Sequence, residues 1–243
     1  MRKLLRLVLW ISVAGGVGLA AAWLPDALAE IEYFRATEFR VVGARLIEAQ
    51  EILETVAIPW YASVFDATDS WEGRLERHPL VRRARITKDL PRTLVLTVEE
   101  REPVALVAGA LLDPVDRDGQ VLPLSPAAYR MDLPLLRADR GFDDLSVSQL
   151  RILAMEVERL TADDPSFMAS VSEIALDDKG DATAVLEGDV RLRFRPPLSH
   201  RRLRDGLTAL DDASRRRPGQ QTAIVDLRYA DQVVVSYQGR SGQ

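Results

Sequence analysis

Apolar residues recur along this chain with two periods, and each change of period marks a new element. Ala84 and Ile86 alternate with Arg83, Arg85 and Thr87, the pattern of a strand with one buried face. Asp89-Leu90-Pro91-Arg92 predicts a turn, after which Leu94, Leu96 and Val98 alternate against Thr93, Thr97 and Glu99. A third run, residues 104–107, follows Pro103. Upstream, residues 31–43 read as a strand entered through a juxtamembrane segment, with Phe39 and Val41 on one face and a turn at Gly43. Ala49, Ile52, Leu53 and Val56 then fall at i, i+3, i+4 and i+7, one face of an amphipathic helix that Pro59 ends. Asp69 and Glu72 have capping-box spacing, and Trp71 with Leu75 supplies the apolar face of a second helix, closed by His78-Pro79. The predicted order is strand, helix, helix, strand, strand.

A second folded part begins near residue 109. Leu111-Leu112 and Val121-Leu122 flank DPVDRDGQ, a hairpin with Asp118-Gly119 as its turn. Ser146 and Gln149 form a capping box for a helix whose buried face is Leu150, Leu153, Val157 and Leu160, with Pro165 after its end. Ile174 and Leu176, then Ala184 and Leu186, then Val190, Leu192 and Phe194 read as strands separated by turns at Gly180 and Gly188. Ser199 caps a fourth helix with Leu203, Leu207 and Leu210 in line, and Arg201, Arg202 and Arg204 on its other face. Arg215, Arg216 and Arg217 crowd the end of that helix, where cations complement its dipole. Val225 and Leu227 alternate with Asp226 and Arg228, and a short turn leads into Val233, Val234, Val235, Ser236 and Tyr237. The tail, 238–243, is short and polar.

The N-terminus has a different pattern. Arg2, Lys3 and Arg6 precede an uncharged run over residues 7–24, long enough for roughly 27 Å of helix, close to the hydrocarbon thickness of a bilayer. Trp10 and Trp23 stand near its two ends, as in an aromatic belt, and Asp26, Glu30 and Glu32 follow. This arrangement predicts a cytoplasmic tail (1–6), a single transmembrane helix (7–24) and export of the remainder. A cleaved signal peptide is the competing reading, because Ala27-Leu28-Ala29 fits the small-x-small cleavage pattern. The apolar run, however, exceeds the roughly 7–15 residues of a signal core.

Composition removes several kinds of chemistry. The 243 residues contain no cysteine and two histidines far apart in sequence, which excludes thiolate catalysis and disulfides and argues against a histidine metal site. A net charge of −5 argues against nucleic-acid binding. There is no Walker loop, GxGxxG or GxSxG, so no cofactor, small-molecule substrate or enzymatic activity is expected. Asp116, Asp118 and Gly119 match three positions of an EF-hand loop, but Pro114 and Ser125 stand where essential ligands belong, and a plain turn is the better reading. Glu99, Glu100 and Glu102 read as solvated charges at a strand end, and Arg82, Arg83 and Arg85 as the wet side of a strand.

Two stretches carry a resemblance. Pro79-Leu80-Val81, Ala84, Ile86, Leu90-Pro91, Leu94, Leu96, Val98, Glu100 and Pro103-Val104-Ala105 resemble the end of a POTRA domain, and more narrowly that of the FtsQ/DivIB family of bacterial cell-division proteins. A first strand ending in Val41-Val42-Gly43 is similar to the Val-x-Gly that opens the family's POTRA domain. Val225-Asp226-Leu227-Arg228-Tyr229 resembles the family's Asp-Leu-Arg-Tyr segment near its last two strands. Leu80 and Leu90 stand where the family usually has an aromatic, and Asp231 to Val233 where it often has a glycine and an aromatic. The resemblance implies an α+β chain: a POTRA domain of β-α-α-β-β order over 31–107, then a mixed α/β domain with a largely antiparallel sheet over 108–237. It further implies a non-enzymatic, bitopic inner-membrane scaffold of the divisome, located at the division septum, with FtsB-like and FtsL-like division proteins as partners. Tyr229, Val233, Val234, Val235, Ser236 and Tyr237 are the candidate partner-binding residues, on a terminal edge strand that a partner strand can extend. Against a POTRA-bearing outer-membrane assembly or secretion protein, the chain is too short for the series of barrel strands required and turns helical instead.

Overall fold

The computed structural model describes residues 28–108, 112–139, 145–217 and 222–237, with the isolated positions Trp10, Gly15 and Trp23; at 222 and 223 it describes the backbone alone. Apart from those three positions, the expected transmembrane run 7–24 lies outside the described residues, as does the tail 238–243. Among the described residues no helix is long and apolar enough to cross a membrane. The chain divides into two compact units, the first ending at Arg101 and the second beginning at Glu102.

The first unit runs β1 (Glu38–Val42), α1 (Ala49–Val56), α2 (Asp69–Leu75), β2 (Val81–Asp89) and β3 (Thr93–Glu100). Its sheet has the order β1-β3-β2, with β1 parallel and β2 antiparallel to the central β3. A parallel pair cannot be closed by a hairpin, and the crossover here contains both helices. Ala84 and Ile86 of β2 and Leu94, Leu96 and Val98 of β3 are buried, as their alternation predicts, together with Ile52, Val56, Trp71 and Leu75 from the helices. Each large side chain so buried contributes about 1.5–3 kcal/mol. Gly43 lies at φ +91°, and a Cβ there would sit 2.2 Å from the Val98 carbonyl oxygen, so the turn after β1 demands glycine.

Local readings differ from the structure in four places here. A 3-10 turn, Glu32–Phe34, precedes β1, so the strand expected within 31–43 is confined to Glu38–Val42. Helix α1 stops before Pro59: Ala57 turns left-handed at φ 46° and donates its N–H to the Leu53 carbonyl at 3.1 Å. The capping box of Asp69 and Glu72 does not form, because the N-cap is Thr68 and its side chain caps nothing. Glu72 instead accepts from the Ile86 N–H at 2.7 Å, and Glu76 accepts from the Ala84 N–H at 3.2 Å. Glu100, expected as a solvated charge, accepts from the backbone N–H groups of Arg45, Leu46 and Ile47 at 2.9–3.0 Å. It shares the inward face of β3 with Leu94, Leu96 and Val98, so the strand's own alternation aims it at that loop.

The second unit runs β4 (Pro103–Ala108), β5 (Leu112–Asp116), α3 (Pro126–Tyr129), β6 (Leu135–Ala138), α4 (Val147–Asp163), α5 (Pro165–Ala169), β7 (Val171–Leu176), β8 (Ala182–Leu186), β9 (Arg191–Phe194), α6 (His200–Arg216), β10 (Thr222–Asp226) and β11 (Val234–Tyr237). The third run that followed Pro103 is β4, and it pairs with β5 and β6 of this second unit, not with the first sheet. One eight-stranded sheet results, in the order β11-β10-β9-β8-β7-β6-β4-β5. The expected largely antiparallel sheet is in fact mixed: β4/β6, β6/β7 and β9/β10 are parallel, because helices α3, α4–α5 and α6 lie in the crossovers between them. The Ser146–Gln149 capping box forms, and Ser199 caps α6 by accepting from the Arg202 N–H. Leu153 and Leu160 of α4 and Leu203 of α6 share one core with Ile174, Phe194 and Val225 of the sheet.

Candidate functional site

A sheet edge is where backbone N–H and C=O groups lack a neighbour, so the four edges of the two sheets are the natural places to look for a partner strand. Three of them are protected. Strand β2 has the Glu72 and Glu76 carboxylates on its outer N–H groups and exposes Arg83, Arg85 and Lys88. Strand β1 carries Glu38 and Arg40, the latter 3.7 Å from Asp89. Strand β5 contains Pro114 and is overlaid by the segment that turns back at Gly119. Strand β11 has neither charge nor proline, and among the described residues it pairs only with β10.

The six candidate residues gather at that fourth edge. Val234, Val235 and Ser236 stand opposite Asp226, Val225 and Ile224, and Tyr237 opposite Thr222 after a bulge in β10. Val235 packs on the core, while Val234 is 41% exposed and Ser236 points outward. Tyr237 is half-buried, with the Arg217 guanidinium 4.5 Å above its ring centre. Val233 lies just before the strand and packs on the core. Tyr229, 47% exposed, belongs to the loop between β10 and β11.

That loop is held from two sides. Arg202, expected on the wet face of its helix, instead turns inward, and its Nη2 donates to the carbonyl oxygens of Leu227, Tyr229 and Gln232. Gly206, one helical turn on, leaves room for Leu227: a Cβ at Gly206 would sit 2.9 Å from both Leu227 methyl carbons. On the other side, Arg228 forks onto Asp226 through Nε at 3.0 Å and Nη2 at 2.6 Å, and its Nη1 reaches Asp181 at 3.0 Å. Arg195 donates to the second oxygen of Asp181 at 3.0 Å. The Arg228 hydrogen bonds hold the Asp226 carboxyl below its ordinary range against the opposing effect of burial. For Asp181, burial pushes upward, but the hydrogen bonds from Arg228 and Arg195 together outweigh it and the net shift is downward. Arg228 is shifted up by the same two carboxylates. The Asp-Leu-Arg-Tyr segment is thus a structural bracket: Asp226 and Arg228 lock the strand end, Leu227 seats against α6, and Tyr229 is left outside.

Sequence reasoning missed Arg202. The signal was present, since Arg202 and Gly206 are four residues apart on one helical stripe, and a glycine in a helix interior marks a close approach. Other clusters carry less. Asp116 is buried, and its Oδ1 accepts from the N–H groups of Asp118 at 3.0 Å and Gln120 at 2.8 Å, the geometry of a turn. A shallow depression along α6 presents Asp205, Asp211 and Asp212, each within 4 Å of an arginine three or four residues on or back. Among the described residues there is no group of three histidine, cysteine, aspartate or glutamate side chains able to hold a metal ion.

Comparison with known proteins matches this architecture. A family model described as POTRA domain, FtsQ-type, matches residues 34–101 and so ends where the first unit ends. A protein of Rhodothermus marinus named Cell division protein FtsQ is 31% identical over 248 residues, covering 96% of this chain and 87% of that protein. Proteins of the same name from Anaeromyxobacter sp. (strain K) and Syntrophotalea carbinolica are 26% and 27% identical, covering 97% and 73% of this chain and 82% and 66% of their own lengths. With a POTRA domain in the first unit and likeness running on through the second, this chain belongs to the FtsQ/DivIB family of cell-division proteins.

Proposed function

We propose that this chain is a bitopic, non-enzymatic scaffold of the bacterial divisome, which joins other division proteins at the septum by accepting a strand on β11. Residues 1–6 lie in the cytoplasm, residues 7–24 cross the inner membrane, and both folded units are exported. The observation that carries the proposal is the β11 edge, paired on one side among the described residues and free of charge and proline, with exposed Tyr229 beside it. A partner strand there would complete the backbone ladder, and aromatic contact area of the kind Tyr229 and Tyr237 offer commonly carries much of an interface's energy. FtsB-like and FtsL-like proteins are the partners the family implies.

A photo-crosslinking residue placed at Ser236 in the native membrane tests this reading. The expected product is an adduct with a small single-span division protein, absent when the same residue is placed at Asp113 on β5. Adducts at Asp113 and none at Ser236 sink the proposal. N-terminal sequencing of the mature chain tests the anchor: a chain beginning at Glu30 would leave a soluble periplasmic protein, cut after Ala27-Leu28-Ala29.

A further inference from the structure

Three segments of the first unit meet at one end of it. Residues 33–36 run antiparallel beside 61–64, with the Ala36 N–H donating to the Ala62 carbonyl at 2.8 Å and the Val64 N–H to the Phe34 carbonyl at 3.0 Å. The turn before β3 joins them: the Arg92 side chain donates to the Tyr33 carbonyl at 3.0 Å, and the Arg92 carbonyl accepts from the Thr37 N–H. Beneath this junction Phe34 packs edge-on against Phe65, 5.0 Å between ring centres. On its surface stand Trp60, 78% exposed, and Tyr61, 64% exposed, with Tyr33 and Leu90 also exposed. The Arg35 guanidinium lies 5.6 Å from the Trp60 ring centre and that of Arg92 5.4 Å from Tyr33. Of the nearby carboxylates, Glu32 is paired with Arg35 at 3.3 Å and Asp89 with Arg40 at 3.7 Å.

Soluble surfaces rarely leave two neighbouring large aromatics so open without an occupant. The position of the patch identifies one. Only eight residues separate Leu24 from Tyr33, so even a fully extended connection keeps Tyr33 within about 32 Å of the end of the apolar run. Tryptophan, tyrosine and arginine are also the residues whose apolar bodies and polar tips suit the headgroup layer of a bilayer. We infer that Tyr33, Trp60, Tyr61 and Leu90, flanked by Arg35 and Arg92, dock the POTRA unit onto the headgroup region of the membrane in which the chain is anchored. This inference rests on the anchor proposed above. It makes the first unit a membrane-seated foot, its rings lying among the glycerol and headgroup atoms and its two arginines facing lipid phosphates.

The test uses the full chain in phosphatidylcholine/phosphatidylglycerol nanodiscs with lipids brominated near the headgroup. In a Trp10→Phe, Trp23→Phe background the remaining tryptophans are Trp60 and the buried Trp71; adding Trp60→Phe leaves Trp71 alone, and the difference between the two variants is the emission of Trp60. Brominated discs should quench that Trp60 emission by at least half and leave Trp71 unchanged. A chain that co-purifies with the discs while Trp60 stays unquenched overturns the docking and leaves the anchor standing; its aromatic patch then belongs to a protein partner. A chain that fails to co-purify with the discs overturns the anchor and the docking together.

Discussion

The two ends of the eight-stranded sheet are built on opposite principles. At one end β5 carries Pro114, which has no N–H to offer, and the chain folds back over it: the Leu122 N–H donates to the Pro114 carbonyl at 2.8 Å and the Asp116 N–H to the Gln120 carbonyl at 3.0 Å. Gly119, at φ +77° and so close to α4 that a Cβ would lie 3.0 Å from the Arg151 nitrogen, makes that fold-back fit. At the other end β11 has no overlay among the described residues, and a salt-bridged bracket and an arginine clamp fix the loop leading into it. Both strands are short, and both belong to the same twisted sheet. The difference lies in their treatment: one edge is sealed, while the other is held in place and left open. Holding an open edge rigid lowers the ordering cost of a partner strand, which is what a docking edge requires.

The sharpest way to break this contrast is to give β11 the feature that β5 already has. Neighbouring residues of a strand point their N–H groups to opposite sides, so of Val234→Pro and Val235→Pro one removes an outward N–H and the other a bond to β10. The outward variant should keep the thermal unfolding midpoint within a few degrees. Its partner affinity should fall on the order of a hundredfold, the scale of losing an interface hot spot. The inward variant should lower the midpoint as well. Calorimetry and a titration with the purified partner domain separate the two, and if both variants fold and bind normally the contact lies elsewhere on the molecule.

Much of this was legible in the sequence. Alternation at Ala84, Ile86, Leu94, Leu96 and Val98 gave the central hairpin of the first unit with its buried face, and the Ser146–Gln149 spacing gave a true capping box. The same spacing failed at Asp69 and Glu72, because a strand edge nearby offered Glu72 a better donor than its own helix did. Glu100 reads as a solvated charge at a strand end, yet its own place in the alternation puts it on the inward face. The sheet's mixed character was hidden for a different reason: strand direction is set by which helices cross over, a long-range property that local periodicity does not encode. The terminal edge at β11 was expected from a last, uncharged strand that follows the Asp-Leu-Arg-Tyr segment; its neighbour β10 and its place at the end of the strand order needed the structure.

A smaller effect sharpens the contrast from the helix side. Arg202→Ala removes the donor shared by the Leu227, Tyr229 and Gln232 carbonyls and should loosen the loop that presents Tyr229 and aims β11. Partner affinity should fall about tenfold, equivalent to 1.4 kcal/mol. Amide exchange should quicken in residues 227–233 and stay unchanged around β5. Equal changes at both edges would show that Arg202 supports the whole domain and has no special role at the open edge.

The smallest effect is one of pH, and it follows from the bracket of Asp181, Asp226 and Arg228. Both carboxyls are held below the ordinary aspartate value of 3.8 in the folded state. A group with a depressed folded pKa binds its proton more readily once unfolded, so its contribution to stability is fully present above pH 3.8 and drains away as the pH falls through the folded values. Between pH 5 and 8 the β10–β11 loop should therefore show constant protection against amide exchange. Below pH 3.8 it should lose protection before the β4–β5 ladder does, since the pairing of β4 with β5 is made of backbone hydrogen bonds that do not titrate. Replacing Asp181 and Asp226 together with asparagine should flatten the difference, because the Arg228 fork then has no charge to lose. If exchange at β11 and β5 accelerates in step as the pH is lowered, the bracket does not set the order of opening, and the open edge must be held by Arg202 and the packing of Leu227 against Gly206.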